Sequence, residues 1–303
     1  MNIIDAINNL VQNPVIEIVS SYTGNNRANN AGAALEEYIK DLFANTFNMS
    51  DDQRKKELKK VFSYIGNTNN PPDAMLKDGD AIEVKKIESA GAKIALNSSY
   101  PKQKLKSDST MISNECQTAE TWTEKDLIYA VGVVKEKKLK RLAMVYGVDY
   151  CANDKYYTKL RDKIKKCIHE IQGIKFDETN EFAHVSNEID PFDVTYLRVR
   201  GMWGISNPWK VFEYVLTKNP KDEENEEKGE NKQKGKKGKK TEKKFEFMCI
   251  INDEKWKTFD NTDLLVALKK EGKKGFDLKD ISIKNPDDAK TMVPAKLITF
   301  CID

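Results

Sequence analysis

Between Pro72 and Ile87 two apolar-rich runs, Ala74-Met75-Leu76 and Ala81-Ile82-Glu83-Val84-Lys85-Lys86-Ile87, flank the turn signal Asp78-Gly79. Such a stretch reads as a β-hairpin. A strand presents alternate residues to opposite faces, so Glu83 and Lys85 share one face while Val84 points into a core on the other. The turn decides which face Asp73 takes. A two-residue Asp78-Gly79 loop would set Asp73 opposite Val84. A three-residue Lys77-Asp78-Gly79 loop, a type I turn with Gly79 left-handed at a bulge, pairs Leu76 with Asp80 and hence Asp73 with Glu83. Directly opposed residues have Cβ atoms about 4.5–5.5 Å apart, close enough to share one ion. Two carboxylates and a lysine so placed can hold a divalent metal against a phosphodiester and activate a water beside it. The same residues would also suit an exposed hairpin with a solvated face, because 33% of the chain is charged.

The flanking segments add context. Ala31 to Phe43 carries Leu35, Tyr38, Ile39, Leu42 and Phe43 at a helical period, with Asn29 or Asn30 as the N-cap. Glu36 falls on the Ile39/Phe43 side of that helix, where a carboxylate costs energy unless it is paired or binds a cation. It therefore reads either as an ion-paired glutamate at the edge of the apolar face or as a member of the metal site. Downstream, Asn97, Ser98, Ser99, Tyr100, Lys102, Lys104 and Lys106 form a polar, lysine-spaced run suited to a nucleic-acid backbone, or to plain solvation. Arg198-Val199-Arg200-Gly201 places two arginines on one strand face beside a glycine. Arg198 and Arg200 could read guanine edges bidentately, or serve as surface salt-bridge partners.

Charge narrows the reading. The net charge is +3, from 51 basic and 48 acidic residues. Lys221 to Lys244 alone holds ten lysines and seven acids, leaving 41 of each elsewhere. The body is neutral, so affinity for a polyanion has to come from a local patch. The segment itself, with glycines and no apolar residue, reads as a mobile charged insertion. The five cysteines are scattered without a CxxC pair, which argues against a disulfide framework or a zinc site and for a reducing cytoplasm. His169 and His184, the only histidines, form no hydrolase triad or HExxH motif, and His169 reads as a surface packing residue. No bilayer-length apolar run or signal peptide is evident.

Elsewhere helices and strands interleave. Leu127–Val134 and Leu139–Tyr150 read as buried strands around a lysine-rich turn, and Tyr156–Ile171 as a helix. Val194–Val199, Phe245–Asn252 and the closing Ala295–Cys301 read as strands, and Leu264–Lys270 as a helix. The expected class is α/β with a central mixed sheet flanked by helices.

Several motifs in combination resemble one known family. Asn25-Asn26-Arg27-Ala28-Asn29, Gly32 with Leu35-Glu36, Asn70-Pro71-Pro72-Asp73-Ala74-Met75-Leu76, Gly79 to Lys86 and Arg198 to Gly204 together are similar to the NgoPII-type type II restriction endonucleases. The resemblance runs from the N-terminus to the Ala295–Ile298 strand, with Lys221–Lys244 as an apparent insertion. It implies a PD-(D/E)XK nuclease core over residues 1–175. Residues 176–303 would be a C-terminal α/β elaboration of the same domain for recognition and dimerisation. The implied activity is Mg²⁺-dependent cleavage of double-stranded DNA within a short palindrome, GGCC in the family, by a homodimer in a bacterial cytoplasm. A cognate DNA methyltransferase would be its genetic partner. Carried over, Asp73 and Glu83 would ligate Mg²⁺, Lys85 would orient or deprotonate the attacking water, and Glu36 would be the helix-borne acid. A repair or junction-resolving nuclease of the same fold, or a DNA-binding protein that does not cut, are the alternatives the residues leave open.

Overall fold

The computed structural model describes residues 1–23, 30–67, 70–217 and 243–303. Four helices open the chain: α1 (Ile3–Gln12), α2 (Ile18–Thr23), α3 (Ala31–Ala44) and α4 (Asp51–Val61). Each start that carries a cap is chemically explicit. The Asn30 side chain accepts from the Gly32 and Ala33 amides to begin α3, and Asn45, left-handed at φ 53°, ends it. Asn2 and Asp5 form a capping box at α1. The sequence reading did not identify α1, although Ile3, Ile7, Leu10 and Val11 recur at helical spacing and are buried.

The strands are β1 (Phe62–Tyr64), β2 (Ala74–Leu76), β3 (Ala81–Ile87), β4 (Lys93–Ala95), β5 (Lys104–Lys106), β6 (Glu124–Lys135) and β7 (Lys138–Tyr146). They continue with β8 (Ala183–Val185), β9 (Leu197–Val199), β10 (Gly204–Ser206), β11 (Phe245–Asn252), β12 (Phe276–Asn285) and β13 (Asp288–Ile302). Nine of them form one sheet in the order β1-β2-β3-β6-β7-β11-β13-β12, with β5 on β6. The β3–β6 and β7–β11 pairs are parallel and the others antiparallel, so the sheet is mixed, as the interleaved pattern implied. The two small pairs β4–β10 and β8–β9 lie off this sheet.

The sheet has a core on each face. On one, Leu35, Ile39 and Leu42 of α3 and Ile3, Ile7 and Leu10 of α1 pack over Ile82, Val84, Ile128 and Ala130. On the other, Met75, Ala81, Leu105, Tyr129, Val131, Tyr150 and Phe212 cluster. Strand alternation thus sends Val84 into the helical core, as expected, and leaves Glu83 and Lys85 on the opposite face. α3 lies close enough to β6 that a Cβ on Gly132 would sit 2.5 Å from Leu35 Cδ2. A side chain there would have to displace Leu35 from the seam between the sheet and α3, the helix that carries Glu36.

Three expectations need adjustment. The strand read over Leu139–Tyr150 ends at Tyr146, and Gly147–Tyr150 forms a short helical turn. The strand read over Val194–Val199 is confined to Leu197–Val199. Asp190 accepts the amides of Phe192 and Thr195 and holds the preceding residues in a turn. The closing strand is longer than Ala295–Cys301, beginning at Asp288, because it pairs along its length with β12. The charged segment lies outside the described residues except for Lys243 and Lys244, which lead into β11. No helix among the described residues is long and apolar enough to cross a membrane.

Candidate active site

The hairpin adopts the three-residue register. Ala74 pairs with Ile82 and Met75 with Ala81, and the Leu76 amide donates to the Asp80 carbonyl at 3.0 Å. The left-handed residue of the turn is Asp78 at φ 51°, not Gly79 as the sequence suggested. Aspartate tolerates this region because its short polar side chain carries little steric penalty there. The turn is clamped from below. Lys125, itself buried, donates from Nζ to the Leu76 and Gly79 carbonyls at 3.0 and 2.7 Å and is ion-paired with Glu120. Glu120 in turn accepts the Asp78 amide at 3.3 Å. Asp80, immediately before β3, is held by Lys255 at 2.8 Å and by the Tyr146 hydroxyl at 2.7 Å.

β2 begins at Ala74, so the edge of β3 beyond Ile82 is not covered by a strand. Asp73 occupies that edge. Its amide donates to the Ile82 carbonyl at 3.0 Å, and its Oδ2 accepts the Val84 amide at 2.6 Å. On β3 itself, Lys85 Nζ donates to Glu83 Oε1 at 2.5 Å. The other oxygen, Glu83 Oε2, is buried and has no hydrogen-bond partner. A buried carboxylate oxygen without a donor is costly unless a proton or a cation completes it.

The electrostatics follow from this crowding. Burial pushes the Glu83 carboxyl up to about 7, Asp73 adds to the rise, and Lys85 opposes it. Burial also raises Asp73, against the pull of Lys85 and the Val84 amide. Burial acts to lower the Lys85 ammonium, but Glu83 and Asp73 outweigh it and leave its pKa raised. Glu36 is raised by burial and by the charge of Asp73, and it feels Lys40 and Lys85 in the opposite sense. Glu36 therefore belongs to the same charge cluster as the hairpin, reaching it from α3. Lys40, one helical turn on and bound to Glu37 at 3.1 Å, also acts on Asp73; sequence reading passed over it. It could have been found from its i+4 spacing to Glu36.

Among the described residues no group of three or more His, Cys, Asp or Glu side chains is arranged to hold a metal ion by itself. Asp73 and Glu83 offer two carboxylates with one oxygen unpartnered. That set fits a hard cation such as Mg²⁺, which binds through one or two carboxylates and completes its shell with water and substrate phosphate. Chelation at this point would also explain how two carboxylates of raised pKa become fully ionised.

The other candidate residues fall into two places. Asn97 and Ser98 are exposed on the loop after β4, whose backbone is joined to Trp203 by bonds of 2.8 and 2.9 Å. Ser98 lines a cavity of about 180 Å³ together with Arg161, Glu181, Arg200 and Trp203. Arg198 and Arg200 both converge on Glu181: Arg198 Nε lies 2.9 Å from each of its oxygens and Arg200 Nε 2.5 Å from Oε1. That carboxylate was invisible in the sequence because it comes from a turn seventeen residues before Arg198. Ser99 is half-buried and donates to the Tyr100 carbonyl at 3.5 Å. Lys104 is paired with Glu124 at 2.7 Å, and Lys102 is buried. Residues 25–29, part of the family resemblance, lie outside the described residues. His169 is at the surface, stacked on Phe176, as read.

A mixed sheet flanked by helices, with an acidic hairpin at its edge, is consistent with the core of a restriction endonuclease. The relatives agree on that class. A family model described as NgoPII restriction endonuclease matches residues 1–228. The Type II restriction enzyme NgoPII of Neisseria gonorrhoeae is 52% identical over 301 residues, covering 99% of each chain. The chain belongs to the NgoPII restriction endonuclease family. No solved structure matches it.

Proposed function

We propose that this restriction endonuclease hydrolyses double-stranded DNA within a short palindrome, GGCC by the implication of its family, at the site formed by Asp73, Glu83 and Lys85. The observation that carries the reading is the unpartnered, buried Glu83 Oε2 beside Asp73 and the Lys85 ammonium. Asp73 and Glu83 would hold Mg²⁺, which supplies positive charge against the phosphate and acidifies water. Lys85 holds the attacking water from the side of Glu83 and stabilises its developing negative charge. Glu36 sets the charge balance of the cluster from α3. In-line attack would leave a 5′-phosphate and a 3′-hydroxyl.

Recognition falls to the Arg198/Arg200 strand and the Asn97–Ser99 loop, and Lys102 and Lys104 would contact the DNA backbone. In this view residues 1–175 carry the chemistry and part of the DNA contact, and residues 176–303 carry the arginine strand and the dimer contact. Exposed Phe192, Val194, Tyr196 and Met202 around the arginines give that part an apolar surface. A homodimer reads a palindrome twice with one set of contacts. The cytoplasm of a bacterium, shared with a methyltransferase that protects the host's own sites, is the setting this activity requires.

Digestion of unmethylated phage DNA with and without Mg²⁺ tests the reading. Discrete bands that vanish with EDTA, and whose ends map to one palindrome, are expected. A smear or intact DNA from folded protein would overturn it. The reaction should also depend on pH through Glu83. With a carboxyl pKa of about 7 in the metal-free protein, a proton competes with the cation below pH 7. The Mg²⁺ concentration for half-maximal cleavage should therefore rise toward about tenfold for each pH unit below 7. The stability of the metal-free fold has the opposite sign. A carboxyl raised from 4.5 to about 7 makes the fold bind its proton more tightly, so stability falls as pH rises across that window. A half-maximal Mg²⁺ concentration unchanged between pH 7.5 and 6 would remove Glu83 from the ligand set.

A further inference from the structure

Lys102 is an anomaly for a surface DNA contact. The residue is 6% exposed, and its ammonium has no carboxylate within ion-pairing distance among the described residues. Its one close partner is the ring of Tyr100, whose centroid is 4.1 Å from Nζ. The charges that act on it are those of Asp154 and Glu83, with Arg161 and Lys106 opposing. Burial, outweighing both carboxylates, leaves its pKa below the ordinary lysine value. The stem is packed while Nζ keeps access to solvent, and a cation held in place without a counter-charge suits a ligand that supplies the anion.

The backbone beneath it is built to hold that position. The Tyr129 hydroxyl accepts the Lys102 amide at 2.8 Å and donates to the Lys102 carbonyl at 3.2 Å. Tyr129 is the residue directly across from Glu83 in the β3–β6 register. Gln103 donates to the Cys151 carbonyl at 2.8 Å, and a Cβ on Gly147 would sit 2.4 Å from the Lys102 carbonyl oxygen. The segment is thus locked to β6 and to the turn after β7, on the flank of Glu83 away from Asp73 and β2.

We infer that Lys102 is a phosphate-binding residue of the active site, its ammonium pairing with a cleaved-strand phosphate at or within one nucleotide of the scissile bond. This rests on the proposed site at Asp73 and Glu83 and extends it: the hairpin supplies the acidic side and Lys102 a fixed cation on the other. Tyr129 is a positioning residue that ties the two together. A cation on a packed stem needs little reorganisation as charge develops on the phosphate, and so acts mainly on rate.

The test uses Lys102→Met, which keeps the length and removes the charge. Its thermal midpoint should equal or exceed that of the parent, since the charge is uncompensated in the free protein. Binding is then measured with Ca²⁺ replacing Mg²⁺, on cognate duplexes carrying a neutral methylphosphonate at successive positions around the scissile bond. The parent should lose about tenfold in affinity, roughly 1.4 kcal/mol, at one position within one nucleotide of that bond. Lys102→Met should be indifferent to the same substitution, and its single-turnover cleavage should be slower by about a hundredfold. Equal losses in the two proteins at every position, or cleavage by Lys102→Met within threefold of the parent, would overturn the assignment. Asp73→Asn run in parallel keeps the two ideas apart. If that variant cuts normally, the hairpin site itself is wrong, whatever Lys102 does.

Discussion

Asp73→Ala and Lys85→Ala are expected to lose cleavage by at least about 10³-fold, on the order of 4 kcal/mol of transition-state stabilisation, while still binding cognate DNA. The two losses have different origins. Alanine at 73 removes a carboxylate from the metal position and also frees the Val84 amide that Oδ2 accepts at 2.6 Å. Asp73→Asn separates these effects, since an amide oxygen can still accept from Val84 but is a poor metal ligand. It should fold as the parent does and remain inactive. Alanine at 85 leaves Glu83 with both oxygens unpaired by protein, because Oε1 loses its 2.5 Å partner and Oε2 has none. Cation binding should survive in that variant and turnover should not. Gel digestion together with band-shift assays in Ca²⁺ reads both quantities. Substantial cleavage by any of the three variants would remove the hairpin from the chemistry.

The second large effect concerns stability, at a network outside the proposed chemistry. Asp41, fully buried on α3, accepts from Tyr22 Oη at 2.8 Å, Thr46 Oγ1 at 2.5 Å and Arg54 Nε at 2.6 Å. Arg54 is itself buried and also reaches Glu37 at 2.8 Å. Removing Asp41 leaves the buried Arg54 guanidinium with Glu37 as its remaining carboxylate and strands two hydroxyls. Breaking a buried pair from one side costs about 3–5 kcal/mol. Asp41→Ala should therefore lower the thermal midpoint by on the order of 10 °C for a chain of this size. The solvent-facing Lys60–Glu57 pair provides the contrast: Lys60→Ala should change stability by less than about 0.5 kcal/mol. Differential scanning calorimetry of the two variants decides the matter, and similar midpoints would mean that Asp41 is not the keystone of the α2–α3–α4 corner. Because α3 also carries Glu36 and Lys40, residual activity of Asp41→Ala below its midpoint would show whether the corner also positions the site.

What the chain itself determined is local. The hairpin and the shared face of Glu83 and Lys85 follow from side-chain alternation around Asp78-Gly79, interactions that span a dozen residues. The helix at 31–44 follows from apolar spacing and an asparagine cap, and the mixed sheet from the alternation of strand and helix patterns. The turn shows the limit even there: the sequence admitted a two- or a three-residue loop, and the fold took the longer one with Asp78, not Gly79, left-handed. Tertiary structure decided the rest, because it depends on groups far apart in the chain. Only packing brings Glu36 from α3 to the open edge of β3, buries one oxygen of Glu83 and raises its pKa. Only packing sets Glu181 against Arg198 and Arg200, and leaves Lys102 without a counter-charge while pairing Lys104 with Glu124. Alternation along a strand is a property of the backbone and can be read from sequence. Burial and charge are properties of the neighbours a residue acquires, and those exist only in the folded chain.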